Sequence, residues 1–367
     1  MKLHYKILNG VLVFIALAMT SLALALSYTS ACEPAPALSG DSPRMDAIYY
    51  SCYGSPDVLE FTELEKPEPE DDEILIKVHA ASVNPYDWHF MRGSPYVMRL
   101  MTGLGAPNDK GLGADFAGTV EATGKNITKF KAGDEVFGAA SGAFSEYVIK
   151  TENGSLVRKP AGVSFEQGAS VAIAAVTALQ ALRDKGEIKP GHKVLINGAS
   201  GGVGTFAVQI AKSFGAEVTG VCSSRNIALV KSIGADHVFD YKKEDYTESG
   251  EEFDLIIDLV GNHSLLKNRQ VLSPKGKMVI VGAPSGNWIG PLIGLIKAPI
   301  LSLFTEQQFV DLMAELKKED LSFIGELIHS GKVKPVIDKR FQLSEVADAI
   351  RYSETGRARG KIIIEVN

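Results

Sequence analysis

The 367-residue sequence predicts an α/β fold in two parts, a β-rich region followed by a doubly wound parallel sheet, with an N-terminal hydrophobic helix in front. Three observations carry this. Lys193-Val-Leu-Ile-Asn-Gly-Ala-Ser-Gly-Gly-Val-Gly204 reads as an apolar strand and a glycine turn, and it runs into the helical pattern Thr205–Lys212. After it, apolar strands alternate with helices, the order expected of a parallel sheet. Before it, short strands lie between Gly and Pro breaks.

The glycine stretch is the element on which the rest is organised. It has the spacing of a dinucleotide fingerprint, with Ala199 in the first slot, then Gly201 and Gly204. Gly201 lets the backbone approach a pyrophosphate, and Gly204 lets the helix pack close to the strand. The turn Ala199, Ser200, Gly201, Gly202, Val203, Gly204 then offers the helix N-terminus to the phosphates. Glu217–Cys222 reads as the next strand. An NAD site would place a carboxylate at its end, whereas this chain has Ser223, Ser224 and Arg225. Hydroxyls and a guanidinium suit a 2′-phosphate, so NADPH is the expected cofactor. The alternative is that Arg225 is a solvated surface residue.

The length suffices for two domains, and 45% hydrophobic against 22% charged residues allows a sizeable core. A net charge of −6 without a basic stripe argues against a nucleic-acid surface. Three cysteines, Cys32, Cys52 and Cys222, are too few and too scattered for a disulfide framework or a cysteine-rich zinc lobe.

Taken in order, Met1–Lys6 is basic, and Ile7–Ser27 carries no charge over a length that fits a bilayer-spanning helix. Thr29-Ser-Ala31 resembles a signal cleavage site. A retained membrane anchor is favoured over export after cleavage, and a lipidated Cys32 is disfavoured by Thr29. Lys2 and Lys6 favour the N-terminus inside and the body outside, a placement at odds with the cytoplasmic supply of NADPH. Residues 1–31 are thus an anchor or signal segment, and 32–44, with Pro34, Pro36, Gly40 and Pro43, a linker. Strands are expected at Asp46–Tyr50, Ile74–His79, Phe116–Glu121 and Glu135–Phe137. Ser164–Leu182 reads as a helix, Asn226–Ile233 as helical, and His237–Phe239, Asp254–Val260 and Lys277–Gly282 as strands. Asn287–Leu303 is apolar but interrupted by Pro291 and Pro299, which argues against a second span and leaves a membrane-facing surface as an alternative. Phe309–Lys317 reads as an amphipathic helix. Val333–Ile337 and Lys361–Val366 read as strands that rejoin the β-rich part.

The runs Ser82–Trp88, Gly113–Val120, Phe130–Val136, Asn197–Gly204 and Gly234–Tyr241 together resemble the medium-chain dehydrogenase/reductase superfamily, and within it the zinc-independent, quinone-oxidoreductase-like branch. The resemblance runs from Met45 to the C-terminus and leaves residues 1–44 uncovered. It implies a GroES-like catalytic domain (45–165), a Rossmann NADP-binding domain (166–305) and a return to the catalytic domain (306–367), with nicotinamide and a small-molecule substrate in the cleft between them. It also implies NADPH-dependent reduction of quinones or conjugated enones, and a homodimer. By position it places Thr177 near the nicotinamide end, groups Tyr241 with Ser223, Ser224 and Arg225 around the 2′-phosphate, and sets Val260-Gly261 and Val281-Gly282 where the nicotinamide ribose is held.

The alcohol-dehydrogenase branch has a Cys zinc ligand in the loop corresponding to Ser82–Trp88 and a Gly-His-Glu run where this chain has Gly113-Ala-Asp115. Here Asn84 and Ala114 stand at those places, so no metal is expected, although His79 and His89 lie nearby. Without a Lewis acid, hydrogen-bond donors must stabilise the charge that hydride transfer builds on the substrate oxygen. Asn84 offers an amide, Tyr86 a hydroxyl that could also supply the proton, and Trp88 a pocket wall. Asn84 can equally shape the turn before Pro85, Trp88 can equally belong to the core, and solvent can supply the proton. Asp87, Asp115 and Glu135 read as solvated or paired loop charges rather than a general acid–base pair. The competing functions are an NAD(P)-dependent alcohol dehydrogenase and a non-catalytic NADPH-binding sensor at the membrane.

Overall fold

The computed structural model describes residues 2–38, 40–282, 286–288, 298, 301–303 and 305–366. Most of the apolar segment 287–303 therefore lies outside the described residues. Helix Lys2–Ser27 is followed by a two-stranded ribbon of β1 (Arg44–Tyr49) and β2 (Glu60–Glu65). Next come β3 (Glu73–Val83), β4 (Asp115–Thr123), β5 (Glu135–Ala139), β6 (Tyr147–Thr151) and β7 (Leu156–Arg158). The second half holds β8 (Lys193–Asn197), β9 (Glu217–Cys222), β10 (His237–Asp240), β11 (Phe253–Asp258), β12 (Leu272–Ile280) and β13 (Gln308–Asp311). β14 (Ile337–Gln342) and β15 (Lys361–Glu365) close the chain.

These six strands form a parallel sheet in the order β10-β9-β8-β11-β12-β13, with the glycine turn leaving β8, its central switch strand. Val194, Leu195 and Ile196 are buried on both faces of that strand, as its unbroken apolar run predicts. A second sheet runs β14-β15-β3-β4-β5-β7, with β6 also paired to β3. β15 pairs antiparallel with β3, so the last residues of the chain return to the first sheet. The two halves share one apolar core, in which Ala80, Ala117 and Phe137 from the second sheet join Ile196, Phe206 and Val208 through the buried helix Ala172–Gln180.

Three local readings are corrected. Phe309–Lys317 is not a helix. The buried Gln307 side chain donates to the Leu272 and Ser273 carbonyls (2.6 and 3.2 Å) and lays the chain along β12, so Gln308–Asp311 becomes the edge strand and the next helix starts at Lys318. Ser164–Leu182 is two helices, Phe165–Ala169 and Ala172–Gln180, parted where the Ser170 hydroxyl donates to the Gln167 carbonyl. Val333–Ile337 lies mostly ahead of its strand, which begins at Ile337. The cysteines also hold a pair that sequence spacing hid. Cys32 and Cys52 form a disulfide, because the linker folds back over β1 and Glu33 exchanges two hydrogen bonds with the Ser51 hydroxyl (2.7 and 2.6 Å). Cys222 is free and buried.

Candidate active site

The site begins at the end of β3. Asn84 caps the helix Pro85–Arg92, with Pro85 in its first turn and Asp87 at its third position. The Asp87 carboxylate accepts the Asn84 backbone N–H at 2.7 Å. Gly93 ends the helix in the left-handed conformation (φ 56°), where a side chain would meet Arg99 and Tyr53 within 2.7 Å.

Strand register brings four polar side chains together here. Ile362 lies opposite Val83, which sets Lys361 beside Asn84, and Ser82 lies opposite Asp115. The Lys361 ammonium donates to the Asn84 side-chain oxygen at 2.5 Å and stands 3.3 Å from the Asp115 carboxylate. Ser82 donates to the same Asp115 oxygen at 3.2 Å, and the other Asp115 oxygen accepts the Ile173 N–H at 2.9 Å, at the N-terminus of Ala172–Gln180. The Asn84 amide donates to the Ser82 carbonyl at 3.3 Å and also hydrogen-bonds the Asp115 carboxylate, and the residue is buried.

The reading of Asp87 and Asp115 as solvated loop charges is corrected, although Asp115 is paired with a lysine, as that reading allowed. Both are fully buried (0% exposed), Asp115 against Lys361 and Asp87 behind the first turn of its helix. Burial pushes the Asp87 carboxyl up to about 8, with the Asp115 charge adding to the effect, and one of its oxygens has no partner. Burial also raises Asp115, against the pull of Lys361. Glu135 behaves as expected, pairing at the surface with Lys159 at 2.8 Å. Sequence reading missed Lys361, which looked like the polar start of an apolar strand. The Asn84-x-x-Asp87 spacing did carry a capping signal.

Of the other expected residues, Tyr86 is 42% exposed beside the Phe90 ring, and burial followed by the Asp87 charge raises its hydroxyl. Trp88 is half-buried, packed on the catalytic core and against His89 (3.8 Å between centroids), so it is partly a core residue. His79 meets Thr119 (3.0 Å) and His89 the Ser94 carbonyl (2.6 Å). Among the described residues no three His, Cys, Asp or Glu side chains converge. Thr177 lies one turn beyond Ile173 and donates to its carbonyl at 2.7 Å.

In the glycine turn the two key glycines differ. A Cβ on Gly204 would fall 2.1 Å from the Gly198 carbonyl oxygen, so helix and turn touch there. A Cβ on Gly201 would meet nothing nearer than 3.5 Å, and its φ of −84° suits any residue. Ala199 is buried, and Ser200 accepts from the Asn226 amide (2.8 Å), whose own oxygen is buried without a partner. Gly202 and Val203 open the helix, and Gly202 lies against the Lys361 stem. Gly360 donates to the Ser200 carbonyl (3.0 Å) and ties β15 to the turn.

The expected 2′-phosphate group is spread over two strand ends. Ser223 is buried. Ser224 donates to Asp240 at 2.5 Å, Arg225 is exposed and donates to the Arg357 carbonyl at 2.7 Å, and Tyr241 is 58% exposed. The Ser224 hydroxyl holds the Asp240 carboxyl below its usual range. At the other strand ends, Asp258 accepts the Val260 and Gly261 N–H groups (3.1 and 2.9 Å), and its carbonyl accepts those of Val281 and Gly282. Ser94 donates to the Asn287 side chain (2.8 Å) and Tyr96 meets Trp288 edge-on.

Comparison with known proteins agrees with this layout. The alcohol dehydrogenase GroES-like domain matches residues 70–183, and the zinc-binding dehydrogenase family matches residues 233–364. The chain is 35% identical over 338 residues to the chloroplast envelope quinone oxidoreductase homolog of Arabidopsis thaliana, covering 88% of this chain and 98% of that protein. Among solved structures, the quinone oxidoreductase from Coxiella burnetii superposes with a TM-score of 0.79 at 33% identity, over 88% of this chain and 100% of that one. The Escherichia coli quinone oxidoreductase complexed with NADPH gives a TM-score of 0.75 at 27% identity, over 87% and 99%.

Proposed function

The chain belongs to the medium-chain dehydrogenase/reductase superfamily, in its quinone-oxidoreductase-like branch, and from that premise we propose that it is an NADPH-dependent reductase of quinones or α,β-unsaturated carbonyls that works without a catalytic metal. The observation that carries the reading is the span of Lys361, whose stem lies against Gly202 of the nucleotide turn and whose ammonium holds Asn84.

The nucleotide turn fits a dinucleotide. Gly201 has open space at its Cβ and no backbone need for glycine, which is the form of a cradle that a pyrophosphate fills. The turn from Ala199 to Gly204 would hold the phosphates, Arg225 the 2′-phosphate, and Thr177 with Val260-Gly261 and Val281-Gly282 the nicotinamide end. When bound, NADPH supplies the hydride. The resemblance in fold to the NADPH-complexed E. coli protein supports that cofactor.

Asn84 is the donor for the developing oxyanion. Lys361 on its oxygen and the Ser82 carbonyl on one N–H hold the amide in place for that role. Tyr86, whose phenol in its ordinary range already carries its proton at neutral pH, is the proton donor. Trp88 is the apolar wall.

Helix Lys2–Ser27, whose segment Asn9–Ser27 is apolar and almost wholly exposed, is the membrane anchor. The Cys32–Cys52 disulfide and the basic N-terminal end both favour a body on the oxidising side, away from the cytoplasmic supply of NADPH. A homodimer is the expected assembly. The deciding assay is NADPH oxidation by the purified full chain with 1,4-benzoquinone and an alkenal, before and after a strong chelator. Turnover that survives chelation is expected. Turnover lost to the chelator would restore the alcohol-dehydrogenase alternative, and NADPH binding without turnover would favour the sensor.

A further inference from the structure

The anchor ends on an apolar surface of the catalytic half. Leu26 is buried, and the next residues are pinned to the segment after the active-site helix. Arg99 donates to the Tyr28 carbonyl (2.8 Å) and the Thr29 hydroxyl (3.2 Å), and Ser30 donates its N–H to the Gly105 carbonyl at 2.8 Å. The end of the helix and residues 96–107 are therefore fixed to one another.

Every exposed side chain between 96 and 107 is apolar. Val97 is 37% exposed, Leu100 59%, Met101 87% and Leu104 61%. The single charged residue of the segment, Arg99, is turned inward between the rings of Tyr53 and Tyr96, at 4.4 and 4.7 Å. Neighbouring exposed Leu and Met side chains with no charge among them do not make a solvated face. Tyr28 (62% exposed) and Trp288 (45% exposed) add amphipathic rings at the rim, as at a membrane–water boundary. Trp288 touches Tyr96, so the patch reaches the place where the nucleotide half meets the catalytic half.

We propose that Val97–Leu104 is seated in the headgroup–acyl boundary of the bilayer that the N-terminal helix spans. The catalytic half then lies on the membrane, with the Tyr96–Trp288 edge of its cleft facing lipid. The occupant of the patch is lipid, because the patch continues directly from the end of an apolar span. The substrate class that follows is a quinone with a long apolar tail, reached from the bilayer. The inference rests on the anchor and the reductase activity proposed above.

Two measurements on the full chain in phosphatidylcholine vesicles test it. Trp88 and Trp288 are the only tryptophans, so Trp88→Phe leaves Trp288 as the sole indole. Bromine on the upper acyl carbons is expected to quench its emission, and emission unchanged by bromination would overturn the proposal. The triple variant Leu100→Ser, Met101→Ser, Leu104→Ser is expected to reduce a long-tailed quinone in the vesicles at least about fivefold more slowly and to keep the parent rate with 1,4-benzoquinone. Equal rates on the tailed quinone would also overturn it. So would a detergent-stable dimer that the triple variant dissociates, since the patch would then belong to a second copy. Failure on 1,4-benzoquinone by the parent chain would sink the reductase reading, while quenching of Trp288 would still decide the patch.

Discussion

The Lys361 ammonium lies 2.5 Å from the Asn84 side-chain oxygen, across the pairing of the last strand with the third. It also stands 3.3 Å from Asp115, and both members of that pair are buried. Removing one member of such a pair leaves an uncompensated charge, at a cost of roughly 3 kcal/mol or more. Lys361→Met should therefore lower the denaturant midpoint, and adding Asp115→Asn should restore much of the loss. In the single variant, kcat with 1,4-benzoquinone should fall further than NADPH affinity, because Asn84 is released while the glycine turn stays intact. A double variant no more stable than the sum of its singles would mean that the two charges are not coupled.

Asp87 makes stability depend on pH. Its carboxyl titrates near 8 in the fold because it is buried, against an ordinary value near 4 in the unfolded chain. Between those values the native state binds the extra proton, so stability is fully present below about pH 4 and falls as pH rises toward about 8. The slope is up to roughly 1.4 kcal/mol per pH unit. Asp87→Asn removes the ionisation and keeps an acceptor for the Asn84 N–H. The variant should gain on the parent in melting temperature from pH 5 to pH 8. Parallel melting curves across that range would mean that Asp87 stays charged in the fold.

These two groups show where sequence reading stops. The glycine turn and its flanking strand and helix are local, and residues 193–212 fold as their pattern says. Lys361 and Asn84 are 277 positions apart, and only the return of β15 to β3 makes them neighbours. Asp87 and Asp115 looked like loop charges because burial is decided by what packs above them. Phe309–Lys317 reads as a helix because Phe309, Leu312, Met313 and Leu316 fall at helical spacing, while the hydrogen bonds that fix the edge strand Gln308–Asp311 come from Gln307 to a distant strand. Cys32 and Cys52 meet because the linker folds back, which no spacing rule states.

The two glycines of the turn should separate folding from binding. Gly204→Ala places a methyl 2.1 Å from a backbone oxygen, so helix and strand must part, at a cost of about 2 kcal/mol or more. Gly201→Val meets no protein atom closer than 3.5 Å at its Cβ and needs no unusual φ. It should melt within a few degrees of the parent and yet bind neither NADPH nor NADH, as read by nucleotide fluorescence. Retained binding in Gly201→Val would remove the pyrophosphate from this turn.

The proposed 2′-phosphate contact rests on Arg225 more than on the serines beside it. Ser223 is buried and Ser224 has given its hydroxyl to Asp240, whereas Arg225 is exposed and spends one Nη2 hydrogen bond on the Arg357 carbonyl. A guanidinium–phosphate contact is a charge-assisted pair, and replacing it by a carboxylate adds repulsion to the loss. Arg225→Glu should weaken NADPH by roughly 100-fold and change NADH by less than about threefold. Titration of both cofactors in low salt and again in 0.5 M salt checks the cause, because an exposed charge contact is screened and the NADPH penalty should shrink at the higher salt. An equal loss for both cofactors would instead mean that Arg225 supports the turn through Arg357 and leaves the 2′-phosphate to other residues.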